Sequence, residues 1–136
     1  MPFVLDASVA ACWCFHDEDD SRADAAYNLL YAEYALVPFM WWFEVCNVVL
    51  LGERRRRISE DHATSFLDQL GQCTIEYAPL SDHAPILALA RRHRLSFYDA
   101  VYLELAQREG MALATLDQEL AAAARVEGVA LVGAAS

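Results

Sequence analysis

Lysine is absent from this chain, and all ten of its basic residues are arginine. Without an amine side chain, Schiff-base chemistry, pyridoxal phosphate anchoring and a Walker-type phosphate loop are excluded. Glycine, with five residues, and proline, with four, are scarce, which argues against collagen-like repeats, low complexity and disorder. Cys12, Cys14, Cys46 and Cys73 are too few for a secreted disulfide scaffold and form no C-x-x-C zinc knuckle. They read as buried free thiols in apolar or helical contexts. His16, His62, His83 and His93 share no ligand spacing, so a histidine-based nuclease or metalloprotease has no support and the four read as structural.

Positive charge is also in short supply, with 20 acidic residues against 10 basic ones and a net charge of −10. The chain as a whole therefore exerts no diffuse attraction on nucleic acid, and a polyanion must be held by a local patch or a metal. The start, Met1-Pro2-Phe3-Val4-Leu5-Asp6, lacks a basic n-region. No secretory signal is expected, and a reducing cytoplasm is the expected compartment. The apolar stretch from Ala35 to Gly52, followed by Arg54 to Arg57, has the outline of a membrane span with a positive flank. Pro38 interrupts it, however, and Glu44 near its middle would cost roughly 2.5–3.5 kcal/mol in a bilayer. A buried helix is the better reading, and no membrane association is expected.

What is present is apolar: 57% of 136 residues are hydrophobic. That is enough for one core and too little for two, so residues 1–136 read as a single domain. Phe3-Val4-Leu5 is a short strand stopped by an acid, and a helix is expected over Ala7 to Phe15. A helix follows the acidic cluster Asp17 to Asp20 and covers Arg22 to Leu30. Ala35-Leu36-Val37 reads as a second strand, with Pro38 in the first turn of a helix running to about Arg54. Ser59 caps a helix to about Leu70, Thr74 to Tyr77 is a third strand, and Ser81 begins a helix to about His93. Phe97 to Glu109 is helical, Met111 to Thr115 is a fourth strand, and a short helix and the strand Val129 to Val132 close the chain. Alternating strands and helices without hairpin signals imply a parallel sheet covered on both faces. Tyr27, Tyr31, Tyr34, Trp41, Trp42 and Phe43 supply more apolar area than a small core encloses, so part of it is expected at an interface.

In open α/β sheets ligands bind beyond the carboxyl ends of strands, where Asp6 and Asp117 follow the first and fourth strands. Glu44 lies in an apolar helical stretch and Asp99 near the start of another helix, neither with a local basic partner. Four clustered carboxylates without cations raise one another's pKa and strain the fold, whereas bound divalent ions make the cluster favourable. Oxygen ligands of this kind favour Mg²⁺ or Mn²⁺ over zinc. Asn47 shares a helix face with Glu44, and serves either to orient a carboxylate or as a surface amide. Ser8 and Thr115 place hydroxyls beside Asp6 and Asp117, with local backbone bonding as the rival role.

Val4-Leu5-Asp6-Ala7-Ser8, Glu44-Val45-Cys46-Asn47, Leu95-Ser96-Phe97-Tyr98-Asp99-Ala100 and Ala114-Thr115-Leu116-Asp117 together resemble the motifs of PIN-domain ribonucleases, VapC toxins above all. The resemblance spans nearly the whole chain, and the bulky Trp41-Trp42-Phe43 before Glu44 is its chief departure. It implies a three-layer α/β fold with a central parallel sheet of four to five short strands and about seven helices. It implies that Asp6, Glu44, Asp99 and Asp117 form an acidic site for one or two Mg²⁺ or Mn²⁺ ions, with Asp6 and Asp99 the most direct ligands and Thr115 in support. The implied activity is metal-dependent hydrolysis of RNA phosphodiester bonds, and the implied partners are a cognate VapB-type antitoxin and a second copy of the chain. Arg54, Arg55, Arg56, Arg57, Arg91, Arg92 and Arg94 are candidates for RNA phosphates, with helix-end complementation as their alternative. A haloacid-dehalogenase-type phosphatase needs a second Asp where Ser8 stands, and both it and a phosphoacceptor receiver domain need a lysine. A PIN nuclease acting in RNA processing or decay outside a toxin–antitoxin pair uses the same site.

Overall fold

The computed structural model describes residues 1–133. The expected domain extends to residue 136, so its last three positions lie outside the described residues.

Four short strands form one parallel sheet: β1 (Phe3–Leu5), β2 (Ala35–Val37), β3 (Ile75–Tyr77) and β4 (Ala112–Ala114). Their order is β3-β2-β1-β4, so the chain builds outward from β1 in one direction and then returns to its other side. Register pairs Phe3 with Ala35 and Ala112, and Leu5 with Ala114. The reversal falls at β1, and a crevice at the carboxyl ends of β1 and β4 follows from it.

Seven helices lie among the described residues: α1 (Ala7–Cys12), α2 (Ser21–Leu29), α3 (Trp41–Arg54), α4 (Glu60–Leu70), α5 (His83–His93), α6 (Phe97–Glu109) and α7 (Gln118–Val126). Phe3, Val4 and Leu5 are all buried because β1 is central and covered on both faces. The middle of α6 is buried nearly all round, with Tyr102, Leu103, Leu105 and Ala106 in the core. That burial anchors α6 against β1 and β4 and holds its first turn at the crevice.

Several boundaries differ from the sequence expectation, each for a local reason. The first helix stops at Cys12 rather than Phe15, because the amides of Trp13, Cys14 and Phe15 take tight bonds to carbonyls three residues back. The Trp13 indole N–H leaves the helix to donate to the Ala23 carbonyl at 2.9 Å. Pro38 does not lie within α3: its carbonyl accepts from the Trp41 amide at 3.0 Å in a turn that precedes the helix. α5 begins at His83, since Ser81 donates its hydroxyl to Glu104 (3.1 Å) instead of starting the helix. The expected strand at Val129 to Val132 reduces to an isolated bridge between Leu113 and Leu131. Gly128 and Gly133 bracket it with φ of 75° and 71°, and these left-handed turns keep the pairing short.

Among the described residues no helix is long and apolar enough to cross a membrane. The Ala35 to Gly52 run divides into a strand, a turn and a helix with Val45 and Val49 in the core. Trp41 is buried and Trp42 half-buried, whereas Tyr31 and Phe43 are exposed. All four cysteines are free, but only Cys12 and Cys14 are buried; Cys46 and Cys73 are half-exposed, contrary to a uniformly buried set.

Gly52 is where α3 approaches Phe15 most closely: a Cβ there would stand 2.4 Å from the ring's Cε1. Phe15 is itself buried and is covered on one face by the Arg57 guanidinium 4.1 Å above its ring. Gly52→Ala is therefore expected to destabilise by about 1–3 kcal/mol through overpacking, despite the better helix propensity of alanine. Urea denaturation checks this, and an unchanged or raised midpoint would show that Phe15 moves freely.

Candidate active site

The four acids reach the crevice from different elements. Asp6 directly follows β1, is 6% exposed, and anchors its backbone N–H on the Ala114 carbonyl at 2.9 Å. Its Oδ2 accepts two hydroxyl bonds, from Thr115 at 2.7 Å and from Ser8 at 2.8 Å. Those hydroxyl oxygens in turn accept from the Asp117 and Leu116 amides, both at 3.1 Å. The tails of β1 and β4 are thus laced together through one carboxylate, and Ser8 and Thr115 serve both it and the backbone.

Asp99 stands in the first turn of α6, where its amide is capped by the Ser96 hydroxyl at 3.1 Å. Asp117 is the N-cap of α7, and its Oδ1 accepts from the Leu120 amide at 2.8 Å. Glu44 lies in the first turn of α3, half-buried, and accepts from the Tyr102 hydroxyl at 2.7 Å. Positive ends of the α6 and α7 dipoles therefore offset some of the negative charge gathered here.

Several of these groups lie within reach of one another's charge. Burial pushes the Asp99 carboxyl up to about 6, and the charges of Asp117 and Asp6 push in the same direction. Burial likewise raises Asp6, with the Asp117 charge adding to it and the Thr115 and Ser8 hydroxyls opposing. Glu44 is raised by burial and by the charges of Asp6 and Asp99, against the pull of Tyr102. Tyr102 is held far above its ordinary value by burial and by Asp6 and Glu44, so its hydroxyl remains a donor.

None of the four carboxylates is ion-paired to Arg or His among the described residues. Nor, among those residues, is any group of three or more His, Cys, Asp or Glu side chains arranged to hold a metal ion as it stands. Each of Asp6, Glu44 and Asp117 is instead turned to a protein donor. The donor set is nonetheless of one kind, hard carboxylate oxygen, and it suits Mg²⁺ or Mn²⁺.

The remaining candidates separate. Asn47 is exposed and makes no hydrogen bond to the four acids. Arg57 is committed to Asp17 (3.0 Å), Glu18 (3.6 Å) and the Phe15 ring, and Arg92 to Glu127 (2.9 Å). Arg54, Arg55 and Arg56 end α3, roughly 15 Å along its axis from Glu44. Arg91 and Arg94 are exposed at the end of α5. Tyr102 was legible only as an apolar residue of its helix, although its place one turn after Asp99 is the signal for a shared face. Glu104, a buried acid held by Arg108 at 3.0 Å and by Ser81, was likewise not singled out.

This combination of a parallel sheet in the order 3-2-1-4 and four acids at its switch point defines the class: the chain belongs to the PIN domain family, whose model matches residues 3–126. Ribonuclease VapC3 of Pyrobaculum aerophilum is 31% identical over 125 residues, covering 89% of this chain and 93% of that protein. The crystal structure of PAE2754 from Pyrobaculum aerophilum shares the fold with a TM-score of 0.70 at 20% identity, over 90% of this chain and 84% of the other. Mycobacterium tuberculosis VapC20, described as a sarcin-ricin loop cleaving toxin, shares it with a TM-score of 0.57 at 17% identity, over 90% and 95%.

Proposed function

We propose that this protein is a Mg²⁺- or Mn²⁺-dependent endoribonuclease, the toxin of a VapBC-type pair, restrained by a cognate antitoxin. The observation that carries the reading is that Asp6, Glu44, Asp99 and Asp117 gather with no ion-paired Arg or His among the described residues, the carboxyls of Asp6, Glu44 and Asp99 being raised by burial first and by neighbouring acid charges second. Identity to a ribonuclease over nearly the full length of both chains supports it.

Asp6 and Asp99 would hold the ion directly, with Glu44 and Asp117 completing the charge. A bound divalent ion supplies positive charge for a phosphoryl group and acidifies an attacking water. The protein's part is orientation. Thr115 and Ser8 fix the Asp6 carboxylate, Tyr102 fixes Glu44, and the α7 cap fixes Asp117. Free cysteines and an RNA substrate agree with a cytoplasmic setting.

A cleft of about 470 Å³ lined by Trp13, Phe15, Tyr27 and Phe66, with Glu18 and Asp24 also in its wall, suits an apolar segment bearing positive charge, such as the antitoxin would present. Exposed Phe43 and Leu50, seven residues apart on α3, suit a second copy in a homodimer.

Purified protein incubated with total cellular RNA is expected to yield discrete fragments in Mg²⁺ or Mn²⁺ and none in excess EDTA, with activity restored by added ion. Cleavage that persists in EDTA overturns metal dependence. The product of the adjacent reading frame is expected to form a complex with the chain and suppress cleavage.

A further inference from the structure

A cation of the protein beside the acidic pocket would help to hold a polyanion in register, and the structure separates the arginines by what they already bind. Arg22 is held by Asp20 (2.9 Å), Arg57 by Asp17, Arg92 by Glu127, and Arg108 by Glu104 and Glu109. Of those left unpaired among the described residues, Arg54 ends α3 far from Glu44, with Arg55 and Arg56 just after it, and Arg91 lies within the last turn of α5, eight positions before Asp99. Arg125 closes α7, about 12 Å along its axis from Asp117, and lines a different hollow whose wall includes Asp19, Asp20 and Thr115.

Arg94 is different. It is exposed, pairs with no acid among the described residues, and stands five positions before Asp99 in the corner between α5 and α6. It lines a hollow shared with Glu119 in the first turn of α7. Glu119 in turn lies two positions after Asp117, the N-cap of the same helix. The corner therefore borders the acidic pocket.

Its backbone carries a second signal. Arg94 has φ 56° and ψ 39°, with the Leu95 amide closing back on Ala90 at 3.0 Å. This left-handed position at a helix end is ordinarily filled by glycine. The end of α6 follows that custom with Gly110 at φ 64°. Keeping a β-carbon and a guanidinium at the α5 corner costs conformational energy, a cost the chain also bears at Arg56 (φ 60°) after α3. The corner is also held firmly, because Glu127 gathers Arg92, His93 (2.6 Å) and Gln107 (3.2 Å).

Beyond the Ser96 cap stand two exposed aromatics, Phe97 at 41% and Tyr98 at 60%, with ring centroids 6.5 Å apart and edge-to-face. Tyr98 immediately precedes Asp99. An exposed ring and an unpaired cation, here four positions apart on one corner, are the two elements that hold a single strand, since every base offers a π-face.

We propose that the α5–α6 corner positions the RNA beside the cut, with Arg94 on a backbone phosphate and Tyr98 stacked on an unpaired base. This deepens the ribonuclease reading and rests on it.

The test separates the two. Binding of a fluorescein-labelled short single-stranded RNA of mixed sequence is measured by anisotropy in Mn²⁺, using the full chain carrying Asp6→Asn so that the probe survives. Arg94→Gly, which relieves the left-handed backbone and is expected to raise Tm, weakens binding and reduces the slope of log K against log salt by about 0.7. Tyr98→Ala weakens binding about fivefold or more, and Tyr98→Phe restores it. The same strand annealed to its complement is insensitive to Tyr98→Ala. Unchanged affinity and salt slope in both Arg94→Gly and Tyr98→Ala overturn the proposal even if the wild type cleaves RNA. A change in oligomeric state with RNA binding intact overturns it too, and assigns the corner to a protein partner. Failure of the ribonuclease reading appears elsewhere, as wild-type protein that cleaves no RNA in Mn²⁺.

Discussion

Asp6→Asn and Asp99→Asn are each expected to lower RNA cleavage by about 10²–10³-fold or more while the chain stays folded. Asparagine keeps a carbonyl oxygen, so the Thr115 and Ser8 hydroxyls that now bond Asp6 Oδ2 retain an acceptor. What the variants lose is charge, and with it affinity for a divalent ion.

Their stability should move the other way. Asp99 titrates at about 6 in the folded chain, above the ~3.9 of an unfolded aspartate. The native state therefore binds more protons across that interval, and stability falls as pH rises through it. Above that interval the destabilisation is complete, and Mn²⁺ relieves it by taking the protons' place. Wild-type Tm is expected to rise with Mn²⁺ more at pH 7 than at pH 5. Asp99→Asn should show a higher metal-free Tm at pH 7 and little response to Mn²⁺. Differential scanning calorimetry with a cleavage assay reads both. Wild-type turnover in either variant would remove these acids from the chemistry.

Trp41→Ala is expected to cost about 3–5 kcal/mol, a large share of the ~5–15 kcal/mol that holds a domain together. The ring is 1% exposed and packs near Trp42 (6.0 Å) and Tyr77 (6.5 Å). It also fixes the first turn of α3, three residues ahead of Glu44, so the loss should reach the active site. Trp41→Phe should be far milder, about 1–2 kcal/mol, because the indole Nε1 is buried without a hydrogen-bond partner among the described residues and removing it relieves an unmet donor. Urea denaturation of the three proteins ranks them. Equal losses for Phe and Ala would mean that shape alone, and not the stranded N–H, governs this position.

Much of the architecture was legible because hydrophobic period and punctuation agree locally. Ser59 caps α4 through its hydroxyl, Gly110 stops α6 in a left-handed turn, and Phe3-Val4-Leu5 is a fully buried strand ended by Asp6. Boundaries failed where side chains took distant partners. Ser81 turned to Glu104, Trp13 to the Ala23 carbonyl, and the last strand shrank to a bridge between two positive-φ glycines.

The polypeptide's own order of residues was sufficient for the alternating strand and helix plan, for nominating four acids as candidates and for the exclusion of every lysine chemistry, since these depend on composition and near-neighbour spacing. Which arginines stay free, that Tyr102 holds Glu44, and that Thr115 and Ser8 share one oxygen of Asp6 were decided only in three dimensions. Those pairings join residues as far apart as Asp6 and Thr115, and a hydrogen bond or ion pair forms only where packing of the intervening chain brings donor and acceptor within about 3 Å.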